Sequence, residues 1–286
     1  MLLLLLPLLQ YGASVTSLPP EILDRKAIEA KRRAQESASG SGGPILPPVQ
    51  TAGCVREMAG NPGAGAAAAQ SALDRAVGEE RVRAGLCLGV ALSALDRWSE
   101  AQNAFLRARD AAAPTDTASR ARLGAMAGNA ALAGGSAAAA LPILEAAQGE
   151  AKAAQDNELL GTIALDRARA YVALGQAAPA GAALAQARTA APNDAQTWLL
   201  SATLSRRENN LAEAQSQIEH AAQIAPQDPE IGLEAGVIAV LGGRDAAARK
   251  SWQSVVAAAP DSEAAKTAKG YLAQLGAPAN SGVAKP

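Results

Sequence analysis

The 286-residue chain is poor in the residues that metal, nucleophilic and nucleic-acid chemistry require. It has one His, His220, and two Cys, Cys54 and Cys87. A structural zinc site takes four His or Cys ligands, so a His/Cys site has little to build from. A His-based catalytic triad would have to rest on His220 alone. Charge of neither sign dominates: 26 Lys and Arg face 27 Asp and Glu, for a net charge of -1. That balance argues against a nucleic-acid binder that works by bulk positive charge. Aromatic residues make up 2% of the chain and include a single Phe. A large β-sandwich or doubly wound sheet needs Val, Ile and aromatic runs, and these are scarce. What is abundant is Ala, roughly a quarter of all residues. Ala is the strongest helix former, so the composition points to an all-α fold.

The N-terminus reads as a leader. Met1 to Leu9 is an apolar run of signal-peptide length, well short of the ~20 residues that span a bilayer. Small residues follow, so a signal peptidase could cut after Ser14 or Ser17, and residues 1–17 are assigned as a signal peptide. No Lys or Arg precedes the apolar run. Export to the periplasm or beyond is the expectation. Cys54 and Cys87 fit one disulfide, which would suit an oxidising compartment; the alternative is two inert thiols packed as small hydrophobes. Thr51-Ala52-Gly53-Cys54 also resembles a lipobox, but Thr stands where Leu is wanted and the preceding stretch is not apolar. Residues 18–51 hold a short charged helix, anchored only by Ile22, Leu23 and Ile28, and then a Ser/Gly/Pro-rich flexible linker. The folded body is expected over 52–276 and a disordered tail over 277–286.

That body repeats itself. Ala202 and Gly236 are 34 residues apart, as are Ala214 and Ala248, Ile218 and Trp252, Ala221 and Val255, and Pro226 and Pro260. A period in this range marks stacked supersecondary units. Counting so that the first small residue of a unit is its eighth, position 8 holds Gly89, Gly128, Ala168, Ala202 and Gly236. Position 20 holds Ala101, Ala140, Ala180, Ala214 and Ala248. Position 24 is bulky: Phe105, Leu144, Leu184, Ile218 and Trp252. Pro114, Pro192, Pro226 and Pro260 follow the second helix of their units. Between the two helices of each unit stand Asp96, Gly135, Gly175, Asn209 and Gly243. These residue types tolerate the left-handed backbone that ends a helix sharply.

In these features the chain resembles the tetratricopeptide-repeat (TPR) family, over roughly 190 residues. The resemblance implies a right-handed α-solenoid of antiparallel helix pairs, a TPR superhelix. Its repeats fall at about 82–114, 121–152, 161–192, 195–226 and 229–260. A half-repeat at 54–78 precedes them, with Leu73 and Val77 on one helical face, and a capping helix at 262–276 follows. The first small-residue markers are spaced 39 and 40 apart. The surplus residues are expected between units, around Pro114–Ala118 and Ala151–Asn157. Almost nothing large occurs in Ala130–Ala140, so the second unit is expected to be the loosest.

In the family, positions 2, 5, 9, 12 and 13 of the first helix line a concave face that binds an extended peptide or a partner helix. Carried onto this chain, the partner-binding candidates are Arg83, Arg122, Asn129, Arg169, Thr203 and Arg206. Thr162, Gln196, Arg207 and Glu230 lie at the same positions. Five of these are Arg, which would favour carboxylates or an acidic segment. The Lys clamp for a C-terminal carboxylate is absent, because position 5 holds Leu86, Ala125, Leu165, Leu199 and Leu233. No cofactor, metal or nucleic-acid partner is implied. The reading is a non-enzymatic interaction scaffold or adaptor of the bacterial envelope, with a protein or peptide partner and no stable membrane span. The alternative is a cytoplasmic TPR regulator or secretion chaperone. The enzyme class would hang on His220, which falls on a second helix and reads as a surface residue.

Overall fold

The computed structural model describes Cys54 and residues 61–275. The leader, the charged segment and linker, and the C-terminal tail therefore lie outside the described residues. Over residues 61–275 twelve α-helices, and among the described residues no strand, follow one another in antiparallel order. They are α1 (Pro62–Arg75), α2 (Gly78–Ala94), α3 (Trp98–Ala111), α4 (Thr117–Ala133), α5 (Ala137–Ala153) and α6 (Asn157–Ala173). Then come α7 (Ala177–Ala190), α8 (Ala195–Arg207), α9 (Leu211–Ile224), α10 (Pro229–Leu241), α11 (Asp245–Ala258) and α12 (Glu263–Gln274). Each helix packs on the next, giving five hairpins: α2–α3, α4–α5, α6–α7, α8–α9 and α10–α11. The first helix of a hairpin is called helix A below and the second helix B.

Local chemistry fixes the hairpin turns. Asp96, Gly135, Gly175, Asn209 and Gly243 all have φ between 56° and 77°, the left-handed region. At each turn the next residue's N–H reaches back into the helix: Arg97 to the Leu92 carbonyl, Ser136 to Ala131, Gln176 to Tyr171, Asn210 to Ser205 and Arg244 to Ala239. This closure of the last helical turn is the Schellman motif. Between hairpins the device is different, except after α5, where Gln155 at φ 55° and the Asp156 N–H bonded to the Ala151 carbonyl repeat the left-handed closure. After α7, α9 and α11 the chain runs through Ala-Pro to a capping residue, Asp194, Asp228 or Ser262. Those side chains, and likewise Asp116 and Asp156, accept hydrogen bonds from amides of the following first turn. Each such cap contributes ~1 kcal/mol.

Packing within a hairpin is knob into notch. Phe105, Leu144, Leu184, Ile218 and Trp252 are all buried, and they fill the space left by the small residue at position 8. A Cβ on Gly89 would run into the Phe105 ring, and one on Gly128 would lie 2.5 Å from Leu144. Trp252 also donates its indole N–H to the Leu233 carbonyl at 3.0 Å, so its only polar side-chain atom is satisfied. Helix α12 closes the C-terminal end by burying Ala264, Ala265 and Ala268 against the last hairpin.

Two expectations are corrected and a third takes a definite form. The surplus residues between the early units are mostly helical. Helices α2, α4 and α6 are 17 residues long, whereas α8 and α10 are 13, and α5 is also 17. An added helical turn keeps every backbone hydrogen bond paired, which a longer loop would not. The second unit is not loose: α4 and α5 share the most extensive contact of any pair. Their Gly and Ala residues let the two backbones approach, so many small contacts replace a few large ones. Finally, Leu73 is fully buried, but Val77 is 78% exposed and stands between α1 and α2.

Candidate partner-binding surface

Adjacent A helices approach closely in two places, α4 with α6 and α8 with α10, and α10 also touches the cap α12, whereas successive B helices lie farther apart and meet through long side chains, as Gln148 of α5 does with Gln186 of α7. A stack that is tighter on one side curves toward that side, so the A helices form the inner face. The leucines at position 5, Leu86, Leu165, Leu199 and Leu233, are buried together with Ala125. They form the frame beneath this face and are not its open floor. The surface itself is made by positions 2, 9, 12 and 13.

The sequence-derived candidates take distinct roles there. Arg83 is exposed. Arg122 bonds Asp156, the cap of α6, at 3.1 Å. Asn129 donates to Asp166 at 3.2 Å, and Arg169 pairs with the other oxygen of the same carboxylate at 2.8 Å. Arg206 holds Glu234 through two bonds of 2.6 and 3.3 Å. Both partners of that pair are nearly sealed, at 10% and 7% side-chain exposure. Thr203 turns its hydroxyl to the Leu199 carbonyl of its own helix. Burial, with the adjacent Arg206 charge second, pushes the Arg207 guanidinium below its ordinary value.

Much of the arginine row is therefore engaged within the solenoid. Two of its partners, Asp166 and Glu234, share one register position, the sixth, and each reaches back to the preceding A helix. Cys87 occupies position 6 in the first unit and is joined to Cys54, with Cα atoms 5.1 Å apart. A covalent bond, a shared carboxylate and a buried ion pair thus hold the same place in three units. The sequence signal was a polar or sulfur residue one step after the buried position-5 frame. The remaining two units carry Met126 and Leu200 there.

His220 is half-buried, not a free surface residue. Its ring lies 4.1 Å from that of Trp198, and the Arg188 guanidinium covers Trp198 from 5.3 Å. Asp228, like Asp194, is a helix cap, and Glu79 and Glu80 sit in the first turn of α2, where the dipole favours acid. Among the described residues no three His, Cys, Asp or Glu side chains are grouped to hold a metal ion. Among them, too, no helix is long and apolar enough to cross a membrane.

Stacked hairpins with a left-handed turn in each, a Gly or Ala notch filled by one knob, and A helices on the inner face define a TPR solenoid. The chain has that fold. Solved structures agree. PilW, a widely conserved type IV pilus biogenesis factor, superposes with a TM-score of 0.61 at 18% identity, covering 77% of this chain and 96% of that one. PilF of Pseudomonas aeruginosa gives 0.58 at 13% identity, covering 86% and 99%. YrrB, a TPR protein with an unusual peptide-binding site, gives 0.50 at 20% identity, covering 72% and 99%. No protein-family model and no curated protein matches the chain. At these identities the likeness is one of fold.

Proposed function

We propose that this protein is a non-catalytic interaction scaffold of the bacterial cell envelope that holds a peptide or partner protein along the inner face of its A helices. The observation that carries this reading is the continuity of that face. Four consecutive A helices present polar side chains at matching positions, from Arg83 through Arg122, Asn129 and Arg169 to Thr203 and Arg206, over a buried Leu and Ala frame. Such a preformed surface binds with little reorganisation cost. Because Arg122, Arg169 and Arg206 are already paired, they position the face and offer spare hydrogen-bonding capacity. Arg83, Thr162 and Asn129 are its exposed polar groups. The Cys54–Cys87 disulfide and the leader-like N-terminus support an oxidising compartment.

The test is capture from a periplasmic extract by the native protein, itself released by osmotic shock. Arg83→Glu combined with Thr162→Glu changes only exposed positions, so the fold survives. Capture by that variant falls by about tenfold or more, equivalent to about 1.4 kcal/mol. Equal capture by variant and wild type, or retention of the protein in the cytoplasmic fraction, contradicts the reading.

A further inference from the structure

The joints between units are not alike, and the one between α7 and α8 stands apart. These two helices share the least contact of any consecutive pair in the chain. Nor does α8 pack closely on α6, although it does so on α10. The cause lies in the residues that α8 turns toward the preceding unit, positions 3, 7 and 11. In α2 these are Ala84, Leu88 and Leu92; in α4, Leu123, Ala127 and Ala131; in α10, Ile231, Ala235 and Ala239; in α6, Ile163 with the long Arg167 and Tyr171, which bond Gln148 and Glu145 of α5. In α8 they are Thr197, Ser201 and Ser205.

All three are buried and polar, so the apolar contact across this joint comes from Leu204 and Leu200, which cluster with Ala180, Ala183, Leu184 and Ala187. Ser201 receives a hydrogen bond from Arg188 of α7, Thr197 turns to Asp194 of its own cap, and Ser205 turns to Gln217 of α9. Position 6 of α8 is Leu200, so this joint also lacks the disulfide or carboxylate tie of other units. The connection itself is Ala191-Pro192-Asn193-Asp194. Beside it, against Glu158 in the extra turn of α6, opens a cleft of about 630 Å3. Trp198 spans the joint on polar contacts: its N–H bonds the Pro192 carbonyl at 2.7 Å and its ring lies under Arg188. Apart from Leu200 and Leu204 the joint is held by such polar contacts, which can be exchanged for water at smaller cost than a continuous apolar seam.

We infer that the α7–α8 joint is a hinge. Two stiff bodies, 61–190 and 195–275, swing about residues 191–194 and change the curvature of the inner face. A few residues at element ends are enough to absorb such a motion. The inference does not depend on what the inner face binds.

Spin labels at position 25 of successive B helices test it, because Glu145, Ala185 and Glu219 are equivalent and exposed. Cys54 and Cys87 are bonded to each other, so introduced thiols label selectively. The distance distribution of Ala185→Cys with Glu219→Cys, across the joint, is about twofold broader than that of Glu145→Cys with Ala185→Cys. Adding Thr197→Ile and Ser201→Ala, which copies the seam of α10, narrows it toward the reference pair. Equal widths in the unmodified seam overturn the inference. So does a broad distribution that the apolar seam leaves unchanged while circular dichroism shows the helices intact.

Discussion

Replacing Arg206 by Ala destabilises the C-terminal part of the solenoid by about 3–5 kcal/mol. The Glu234 carboxylate is 7% exposed, and both of its oxygens are bonded to the guanidinium. Without the cation, the carboxylate either stays charged in a poorly solvated gap between α8 and α10 or takes up a proton. Both cost more than an exposed ion pair is worth, which is about 0–1 kcal/mol. A second variant separates the attraction within the pair from the penalty of leaving one charge buried alone. Arg206→Met with Glu234→Leu removes both charges and roughly keeps the volume, so it recovers most of the lost stability. Because a repeat array unfolds by neighbouring units and not in one step, the readout should be local. The chain also carries Trp98 and Trp198, so with both replaced by Phe in every protein compared, the fluorescence of Trp252 in the adjacent hairpin reports this region through a urea titration. A loss below about 1 kcal/mol for Arg206→Ala would mean that the pair behaves as a surface contact.

Gly236→Ala destabilises the same hairpin, while Gly149→Ala stabilises the chain. In an exposed helix interior, Ala is better than Gly by about 1 kcal/mol. Gly149 lies in α5, and a methyl group added there would meet nothing within 4 Å, so that gain is realised in full. At Gly236 the same methyl would run into the Trp252 indole nitrogen and lie 2.5 Å from the ring carbons beside it. The ring cannot retreat without breaking its bond to the Leu233 carbonyl and vacating a sealed pocket. Overpacking of this kind costs about 1–3 kcal/mol, and loss of the indole bond adds about 1 more. Set against the helix-propensity gain, the net change is a loss of about 1–3 kcal/mol. Thermal melts of both variants check it, with midpoints moving in opposite directions. Two upward shifts would show that the Trp252 notch has slack.

The hairpin frame was legible in the sequence because few residue types can perform its tasks. Only Gly, Asn and Asp readily accept the φ of 56° to 77° seen at residues 96, 135, 175, 209 and 243. Only a small residue fits opposite Phe105 or Trp252. The inner surface was less legible. Arg122, Arg169 and Arg206 fall where the period places them, but the neighbours that engage them are set by contacts between units, which no pattern within one unit encodes. Asp166 and Glu234 look like ordinary helix interior residues until their side chains are seen reaching back to α4 and α8. The polar seam of α8 was written as Thr197, Ser201 and Ser205 at four-residue spacing. In a chain this rich in Ala and Ser, that spacing carries little contrast. Helix length was hidden for a related reason: Ala-rich sequence continues a helix without marking where the extra turn begins.

A partner held along the inner face of the A helices is within reach of that face and not of the outer one. A photo-crosslinking residue at Asn129, exposed on α4, and another at Ala185, exposed on the outer helix α7, probe the two faces of one solenoid. With the partner on the inner face, Asn129 gives a single crosslinked partner band and Ala185 gives none. The same band from Ala185 with none from Asn129 would place the partner on the outer helices and contradict that reading.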